Sequence, residues 1–386
     1  MTTPYLPIYR RTGTTMVRGQ GVYLYDDAGK PYLDFAAGIA VSSLGHSHPH
    51  LVEALKKQAE TLWHCSNQFM TPQLLEFSTR LVNATFADSV FFCSSGTEAV
   101  EAGIKFLRRY HYETRHPERH RIITFEGGFH GRTYGGISAG GNESARKGFG
   151  QLLSGFDRVA FNDIAAVRHV LTANTAGILI EAIQGEGGVR AATPEFLQQL
   201  RALCDQHGIL LMCDEVQCGY GRPGTLFAFE RAGITPDICS VAKGIGSGFP
   251  LGATLVTARV ADALPAGSHG STYGSNPLAM AVGNAVLDVM QQPGFLENVQ
   301  TQGARLMAGL EKFQAAHPDK IRQVRGVGLM IGLEPVGDAR AMAAQLLAGG
   351  LTTSPTVTGI IRLVPPLIID ASHVDAALMI IEKTLQ

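Results

Sequence analysis

Short apolar runs alternate with longer amphipathic stretches from about residue 50 to about residue 260, and this alternation limits the possible folds more than any other feature of the sequence. Helical periodicity is clear over 194–207, where Phe196, Leu200 and Leu203 share one face. The apolar runs have the length of strands buried on both faces: 90–93, 121–125, 177–181, 209–214 and 238–242. The pattern predicts an α/β fold with a mostly parallel sheet wrapped by helices.

The pattern changes near Asn276 and Pro277, which suggests a second, smaller α+β domain. Long helices are predicted over 278–290 and about 296–316, then strands over 327–332 and 360–363, and a last helix from about residue 372. Near the start, 21–25 and 32–35 flank a turn at 27–30 and read as a hairpin. The predicted division is therefore an N-terminal segment (1–50) packing with the small domain, a large domain (51–275), and a linker helix with the small domain (276–386).

Charge and hydropathy exclude several classes of function. The chain has 32 Lys and Arg against 33 Asp and Glu, for a formal net charge of -1, which disfavours a nucleic-acid or polybasic membrane surface. No apolar stretch approaches the roughly 20 residues that span a bilayer. The first residues show neither a basic nor an apolar leader region, so we expect a cytoplasmic protein. Six scattered cysteines without a CxxC pair predict free, mostly buried thiols.

Glycine is over-represented, with 45 residues or about 12% of the chain against a typical share of roughly 7%. Such an excess predicts many places where the backbone comes close to another group or adopts a positive φ. Several glycines follow predicted strands, where ligands bind in open α/β sheets.

Two polar segments directly follow predicted strands. After the first, Ser95, Gly96 and Thr97 open a helix whose free N–H groups and positive end suit a phosphate. A plain N-cap is the alternative. After another strand, Asp214 would be shielded from water and would need a cationic or hydrogen-bonding partner. That partner could be a structural Arg or Lys, or a protonated ring nitrogen on a cofactor.

Two further segments complete the set. Lys243 ends an apolar run and precedes three glycines, which would admit a large planar group beside an amine able to form an imine. A lysine reaching the surface is the alternative. Phe129, His130 and Arg132 follow a third strand and could together stack on a ring and hold a carboxylate, although core packing would explain Phe129 and a salt bridge would explain Arg132. Together, a phosphate cradle, a ring stack, a buried acid and an imine-forming lysine match the requirements of pyridoxal phosphate (PLP).

The sequence also resembles the class III, fold-type I PLP-dependent aminotransferases over nearly its whole length. The motifs that carry the resemblance occur in the family's order: Leu44-Gly45-His46-Ser47-His48-Pro49, Ser95-Gly96-Thr97-Glu98-Ala99, Phe129-His130-Gly131-Arg132-Thr133, Gln184-Gly185-Glu186-Gly187-Gly188, Asp214-Glu215-Val216-Gln217, Ala242-Lys243-Gly244 and Gly270-Ser271-Thr272-Tyr273-Gly274. The match of the histidine-rich segment to a family loop argues against a metal site there, and no HExxH motif supports zinc.

The resemblance implies a role for each matching residue. Lys243 would bond the aldehyde of PLP and carry protons, and Asp214 would pair with the pyridine nitrogen. The other implied cofactor contacts are Ser95, Gly96 and Thr97 at the phosphate, Phe129 on one ring face, and Val216 and Gln217 at the other face and the phenolic oxygen.

The resemblance also implies contacts with substrate and with a second subunit. Thr272 would reach the phosphate in the neighbouring subunit of a homodimer. Arg132 and Ser271 would hold the carboxylate end of the substrate. Glu186 and Arg362 resemble a pair in which the glutamate masks the arginine until 2-oxoglutarate binds, although a fixed salt bridge would have the same sequence.

The implied activity moves the distal amino group of N2-acetyl-L-ornithine to 2-oxoglutarate, giving N-acetyl-L-glutamate 5-semialdehyde and L-glutamate in arginine biosynthesis. Succinylornithine, succinyldiaminopimelate, ornithine and 4-aminobutyrate stay open as donors. A nicotinamide-dependent dehydrogenase is disfavoured because no GxGxxG follows an early strand with an acid about 20 residues later. A non-catalytic binding protein on the same fold is the alternative from another class.

Overall fold

The structure is a computed structural model and describes residues 4–385. In chain order the strands are β1 (Met16–Gln20), β2 (Tyr23–Asp26), β3 (Pro31–Asp34), β4 (Ser89–Cys93), β5 (Arg121–Phe125), β6 (Phe156–Val159), β7 (Thr175–Ile180), β8 (Ile183–Gln184), β9 (Arg190–Ala191), β10 (Leu210–Asp214), β11 (Ile238–Val241), β12 (Gly252–Val256), β13 (Ile321–Val327), β14 (Met330–Pro335), β15 (Leu351–Thr352), β16 (Ser354–Pro355) and β17 (Ile361–Leu363). The helices are α1 (Ala37–Ala40), α2 (Pro49–Ala59), α3 (Pro72–Asn83), α4 (Gly96–Glu113), α5 (Tyr134–Ala139), α6 (Ile164–Val170), α7 (Pro194–His207), α8 (Ala258–Ala261), α9 (Pro277–Met290), α10 (Phe295–Ala316), α11 (Ala339–Ala348) and α12 (Ala371–Leu385).

A seven-stranded sheet with the order β4-β12-β11-β10-β7-β5-β6 forms the centre of the molecule. The neighbours from β11 to β6 run parallel, whereas β12 runs antiparallel to both β11 and β4. Because parallel strands end at the same edge, the loops after β5, β7, β10 and β11 meet there. The predicted α/β class with a mostly parallel sheet is confirmed.

Helices cover both faces of this sheet, which explains why polar and apolar residues do not alternate along its strands. In β10, Leu210 and Met212 pack in the cluster that contains α4, while Leu211 and Cys213 pack in the cluster that contains α7. Successive side chains of a strand point to opposite faces, so each face receives its own apolar layer. The helix predicted over 194–207 is α7 with the same bounds.

A second, antiparallel sheet has the strand order β13-β14-β17-β16. Its core includes apolar residues of α10, α11 and α12. The single strand predicted over 327–332 is wrong, because Gly328 and Leu329 form the turn between β13 and β14. Gly328 has φ +55° and its Cβ position would lie 2.6 Å from the carbonyl carbon of Pro223, so a side chain there would clash.

The predicted N-terminal hairpin is confirmed as the antiparallel pair β2 and β3. β3 also pairs in parallel with β15, and Val22, Leu33 and Phe35 lie in the same apolar cluster as the C-terminal helices. These contacts agree with an N-terminal segment that packs with the small domain, while the boundaries at 50 and 275 stay predictions.

The cysteine prediction is confirmed: all six thiols are free, and five of them are buried. Within residues 4–385, no helix is both long and apolar enough to cross a membrane.

Candidate active site

A cavity of about 420 Å³ lies at the carboxyl edge of the central sheet. Its lining comes from the carboxyl ends of the strands and the segments that follow them: Gly96 and Thr97 at the start of α4, Phe129 after β5, Asp214 at the end of β10 and Lys243 after β11. Residues separated by up to 147 positions in sequence thus meet around one volume. Cofactor sites typically have volumes of about 300–1,000 Å³.

The N-terminus of α4 forms one wall, and its first turn resembles a capping box in which the Glu98 carboxylate accepts the N–H of Ser94, the residue before the N-cap. The Ser95 hydroxyl accepts the Glu98 N–H at 3.3 Å, and the Glu98 carboxylate accepts the Ser95 hydroxyl at 2.8 Å and the Ser94 N–H at 3.1 Å. Ser95 is therefore an N-cap, as the simpler interpretation predicted, and it also lines the cavity. The remaining N–H groups of the first turn have no partner within the helix and are available to an anion.

Gly96 is required by close packing at this wall. A Cβ atom there would lie 2.6 Å from Cγ1 of Val216, which lines the same cavity. No real Cβ contact is that short, so a larger residue would displace either the helix start or Val216. The presence of glycine at position 96 therefore has a structural cause.

Asp214 is buried at the end of β10, and both of its oxygens are hydrogen-bonded. Oδ1 accepts the Val216 N–H at 3.1 Å, and Oδ2 lies 2.8 Å from Nδ1 of the buried His130. Burial alone would lower the pKa of His130, but the hydrogen bond and charge of Asp214 raise it above its usual value. A carboxylate can accept about four hydrogen bonds, so Asp214 retains capacity for a cationic group in the cavity.

Glu181 also lines the cavity, directly after β7. One of its oxygens accepts the Phe129 N–H at 2.9 Å, and the other accepts the Gly185 N–H at 3.3 Å. The carboxylate thus joins the loop that carries Phe129 to the loop that carries Glu186. Burial raises the pKa of Glu181 to about 7.

Lys243 follows β11 and has a backbone φ of +50°, a conformation that residues other than glycine rarely adopt. Such strain tends to occur at functional sites, where the surrounding structure stabilises it. Burial, and secondarily the positive charge of Arg362, lower the pKa of the Lys243 amine to about 8. At neutral pH the neutral, nucleophilic form of the amine is therefore far more populated than in a free lysine.

Arg362 lies beyond the cavity on β17, with only 1% of its side chain exposed. Its Nη1 lies 2.7 Å from Oε1 of Glu186 and donates to Oε1 of Gln217, also at 2.7 Å. Gln217 lines the cavity, so it connects the arginine to the volume beside Lys243. Gly185 lies against the Gln217 amide, and any side chain at Gly185 would overlap it.

The structure does not bring every predicted residue into this cavity. Arg132 lines it but is exposed, with its guanidinium carbon 5.6 Å from the centre of the Phe129 ring. Ser271 instead donates to Oε1 of Glu98 at 3.1 Å, and Thr272 is exposed on the same loop. Within one subunit, Ser271 and Thr272 therefore do not line this cavity.

The sequence did not predict the contacts of two buried groups in this site, His130 and Glu181. Glu181 directly follows a buried strand, so the same rule that identified Asp214 would have found it. The same rule indicated the segment that contains His130, but the contact of His130 with Asp214 joins residues 84 positions apart and has no local pattern.

The residues present fit PLP on three counts. The unpaired N–H groups of α4 can bind a phosphate, buried Asp214 can pair with a protonated pyridine, and Lys243 has an amine poised to react. Among residues 4–385, no group of three or more His, Cys, Asp and Glu side chains could hold a metal ion. The fold and the site together define a PLP-dependent enzyme of the large α/β class.

Comparison with known sequences identifies the family. The sequence model of the Aminotransferase class-III family matches residues 8–385, and the chain belongs to this family. An acetylornithine aminotransferase of Agrobacterium fabrum is 52% identical over 383 residues, which cover 98% of this chain and 95% of that relative. Enzymes of this family use PLP, so the cofactor expected from the sequence is confirmed.

Solved structures agree with this assignment. The acetylornithine aminotransferase of Elizabethkingia anophelis superposes with a TM-score of 0.89 at 34% identity, covering 98% of this chain and 95% of that one. An amine transaminase from an uncultivated Pseudomonas species, solved in its PLP-bound form, has a TM-score of 0.93 at 29% identity, covering 100% of this chain and 98% of that one.

The lowered pKa of Lys243 predicts how PLP uptake depends on pH. Below about pH 8 we expect the uptake rate of the apoprotein to rise about tenfold per pH unit, because only the neutral amine attacks an aldehyde, and to level off above that pH. Stopped-flow absorbance after mixing apoprotein with PLP measures the rate, with a small primary amine as the reference for the titration of PLP itself. Arg362→Gln should move the midpoint upward, and a wild-type midpoint near that of free lysine, about 10.4, would contradict the prediction.

Proposed function

We propose that this chain transfers the distal amino group of N2-acetyl-L-ornithine to 2-oxoglutarate, giving N-acetyl-L-glutamate 5-semialdehyde and L-glutamate in arginine biosynthesis. The observation that carries the proposal is the buried Arg362 paired with Glu186 beside the cavity. A single site must accept first an amine and then a diacid, and an arginine masked by a displaceable carboxylate meets both needs. The similarity to acetylornithine aminotransferases supports the choice of donor.

The cofactor contacts follow from the walls of the cavity. Gly96 and Thr97 would hold the phosphate at the start of α4, next to the Ser95 cap. Phe129 and Val216 would enclose the ring from its two faces, and Gln217 would approach the phenolic oxygen with the amide nitrogen that Arg362 does not use. Asp214 would keep the pyridine nitrogen protonated, with His130 holding Oδ2 in place.

PLP, when bound, supplies a ring that stabilises the negative charge left on a substrate carbon after a proton is removed. The Nζ atom of Lys243 is the base that takes this proton from the carbon bearing the amino group. Its pKa of about 8 lies near physiological pH, which suits a group that must both accept and return a proton.

Two arginines would bind the two substrates, one in each half of the reaction. Arg132, exposed at the mouth of the cavity, would bind the carboxylate end of the amino donor. Arg362 stays neutralised by Glu186 during this half of the reaction. When 2-oxoglutarate enters, Glu186 moves away and Arg362 binds the α-carboxylate. Glu186 is the partner able to move, since 21% of its side chain is exposed against 1% for Arg362.

The enzyme would act as a homodimer in which Thr272 serves the neighbouring site, while Ser271 on the same loop would hold the carboxylate end of the substrate. Their loop carries Tyr273, which is about two-thirds exposed, and the adjacent loop exposes Trp63, Phe69 and Met70 to a similar extent. Asn67 Nδ2 donates to the Ser271 carbonyl at 2.8 Å and joins the two loops. An apolar surface of this kind next to an active site fits a second copy of the chain.

Six free thiols fit the reducing cytoplasm, where we place the enzyme.

A comparison of donors tests the proposal. With 2-oxoglutarate as acceptor, we expect kcat/KM for N2-acetyl-L-ornithine to exceed that for free ornithine and for 4-aminobutyrate by about 100-fold, because neither of these carries an acylated α-amine. Succinylornithine and succinyldiaminopimelate belong in the same assay, since both keep an acylated α-amine. A preference for ornithine or 4-aminobutyrate would contradict the proposed donor, and the absence of turnover with every donor would favour a binding protein.

A further inference from the structure

The cross-strand partner of Arg362 is a buried serine that belongs to none of the family motifs described above. Ser354 on β16 lies directly opposite Arg362 on β17 in the antiparallel register. Its hydroxyl oxygen accepts a hydrogen bond from Nη2 of Arg362 at 3.0 Å, and both side chains are buried. The contact joins two strands of one sheet, so backbone pairing fixes the distance between the two residues.

A count of the donors of Arg362 shows what this contact does. A guanidinium has five N–H groups, one on Nε and two on each terminal nitrogen. Nη1 donates to Gln217 and lies 2.7 Å from the Glu186 carboxylate in an ion pair, Nη2 donates to Ser354, and Nε is buried without a partner. If Glu186 leaves, one N–H becomes free on Nη1 and one is already free on Nη2. Two N–H groups on adjacent nitrogens are what a carboxylate needs for bidentate binding.

We propose that Ser354 is a positioning residue for the keto-acid half of the reaction. With Gln217 on one terminal nitrogen and Ser354 on the other, the guanidinium keeps its plane and rotamer after Glu186 departs. The incoming carboxylate therefore meets a preorganised cation and not one that must first be ordered. This inference rests on the proposed function, because it requires a step in which Glu186 releases Arg362.

No neighbouring hydroxyl on this strand pair replaces Ser354. Thr356 Oγ1 is engaged with Thr358 Oγ1 at 2.9 Å and with the Ile360 N–H at 3.1 Å. Thr353 Oγ1, on the residue before Ser354, is buried without any hydrogen-bond partner. Loss of the Ser354 hydroxyl would therefore leave Nη2 without a protein acceptor among the described residues. Thr353 offers a matched control, since removing its hydroxyl removes no contact.

The two half-reactions of the holoenzyme can be measured separately, and Ser354→Ala should affect only one of them. We expect the KM for 2-oxoglutarate to rise about tenfold, the effect of losing one hydrogen bond to a charged group. The kcat at saturating 2-oxoglutarate and the single-turnover rate and half-saturation for the amino donor should stay at wild-type values, because Glu186 still masks Arg362 in that half. Thr353→Val should match wild type in both half-reactions.

Several results would overturn the inference. An unchanged KM for 2-oxoglutarate in Ser354→Ala would show that the hydroxyl does not position Arg362. An equal loss in both half-reactions, or the same loss in Thr353→Val, would indicate a general structural effect. If the alanine variant is too unstable to assay, Ser354→Cys gives the same test, since a thiol is a weak acceptor. Failure of the wild type to use 2-oxoglutarate would instead contradict the proposed function.

Discussion

Replacing Lys243 with alanine is expected to lower kcat for amino transfer by about 10⁴-fold or more. The amine has two tasks in the proposed reaction, covalent attachment of PLP and proton transfer at the substrate carbon. A methyl group can perform neither of them. In the proposed site the other residues of the cavity wall would hold the cofactor without forming a covalent bond to it, so PLP should still bind, although more weakly.

Two measurements separate these tasks. Steady-state assays with N2-acetyl-L-ornithine and 2-oxoglutarate give the loss in kcat. Mass spectrometry after borohydride reduction should show PLP attached to the peptide that contains Lys243 in the wild type, and no attachment in Lys243→Ala. The exposed Lys312 of α10 provides a control, since Lys312→Ala should behave as the wild type in both experiments.

The assignment of Lys243 would be wrong if the variant kept either property. PLP attached to another lysine would identify a different nucleophile. Turnover within about tenfold of the wild type would mean that another group moves the proton. Addition of a small primary amine offers a further check, because a diffusible base that restores part of the rate would show that the missing function is chemical.

Asp214→Asn should lower kcat by about 10²–10³-fold, because in the proposed site it would remove the negative charge that faces the pyridine nitrogen while keeping nearly the same shape. Breaking a buried charged hydrogen-bonded pair costs about 2–5 kcal/mol, or about 30- to 5,000-fold in rate, and the expected range lies within these limits. The variant should also lose the raised pKa of His130, since Asp214 supplies both the hydrogen bond and the charge that raise it. NMR titration of the imidazole would follow this change.

Asp288→Asn is a suitable control for the loss of one carboxylate. Asp288 lies at the surface near the C-terminal end of α9, where it pairs with Arg80 and His50. Exposed ion pairs of this kind contribute about 0–1 kcal/mol to the free energy of unfolding. We expect its kcat to match the wild type. A kcat of Asp214→Asn within about threefold of the wild type would show that the charge does not assist the reaction.

The strands and helices near the site could be predicted where a pattern of neighbouring residues in the sequence indicates them. Burial of β10 on both faces leaves a continuous apolar run, and the amphipathic period of α7 reports its one buried face, so both could be read from neighbouring residues. The polar ends of strands then pointed to Asp214 and Lys243, because the geometry of a parallel sheet gathers them at one edge.

Other parts of the site depend on packing between distant residues. The contact of His130 with Asp214 and the register that places Ser354 opposite Arg362 have no local pattern. The turn at Gly328 was missed because glycine occurs in strands as well as in turns, and only the close approach of Pro223 shows its role. The role proposed for Thr272 in a neighbouring site needs a second copy of the chain, so no pattern within one subunit could reveal it.

The pairing of β3 with β15 has a consequence for biosynthesis on the ribosome. The Thr352 hydroxyl donates to the Asp34 carboxylate, which lies 318 positions earlier in the chain. At about 5–20 residues per second, the N-terminal strands wait roughly 15–65 s for this partner to be synthesised. Until then the free edge of β3 can pair with other chains, so early folding of this protein would benefit from a chaperone that covers the nascent N-terminus.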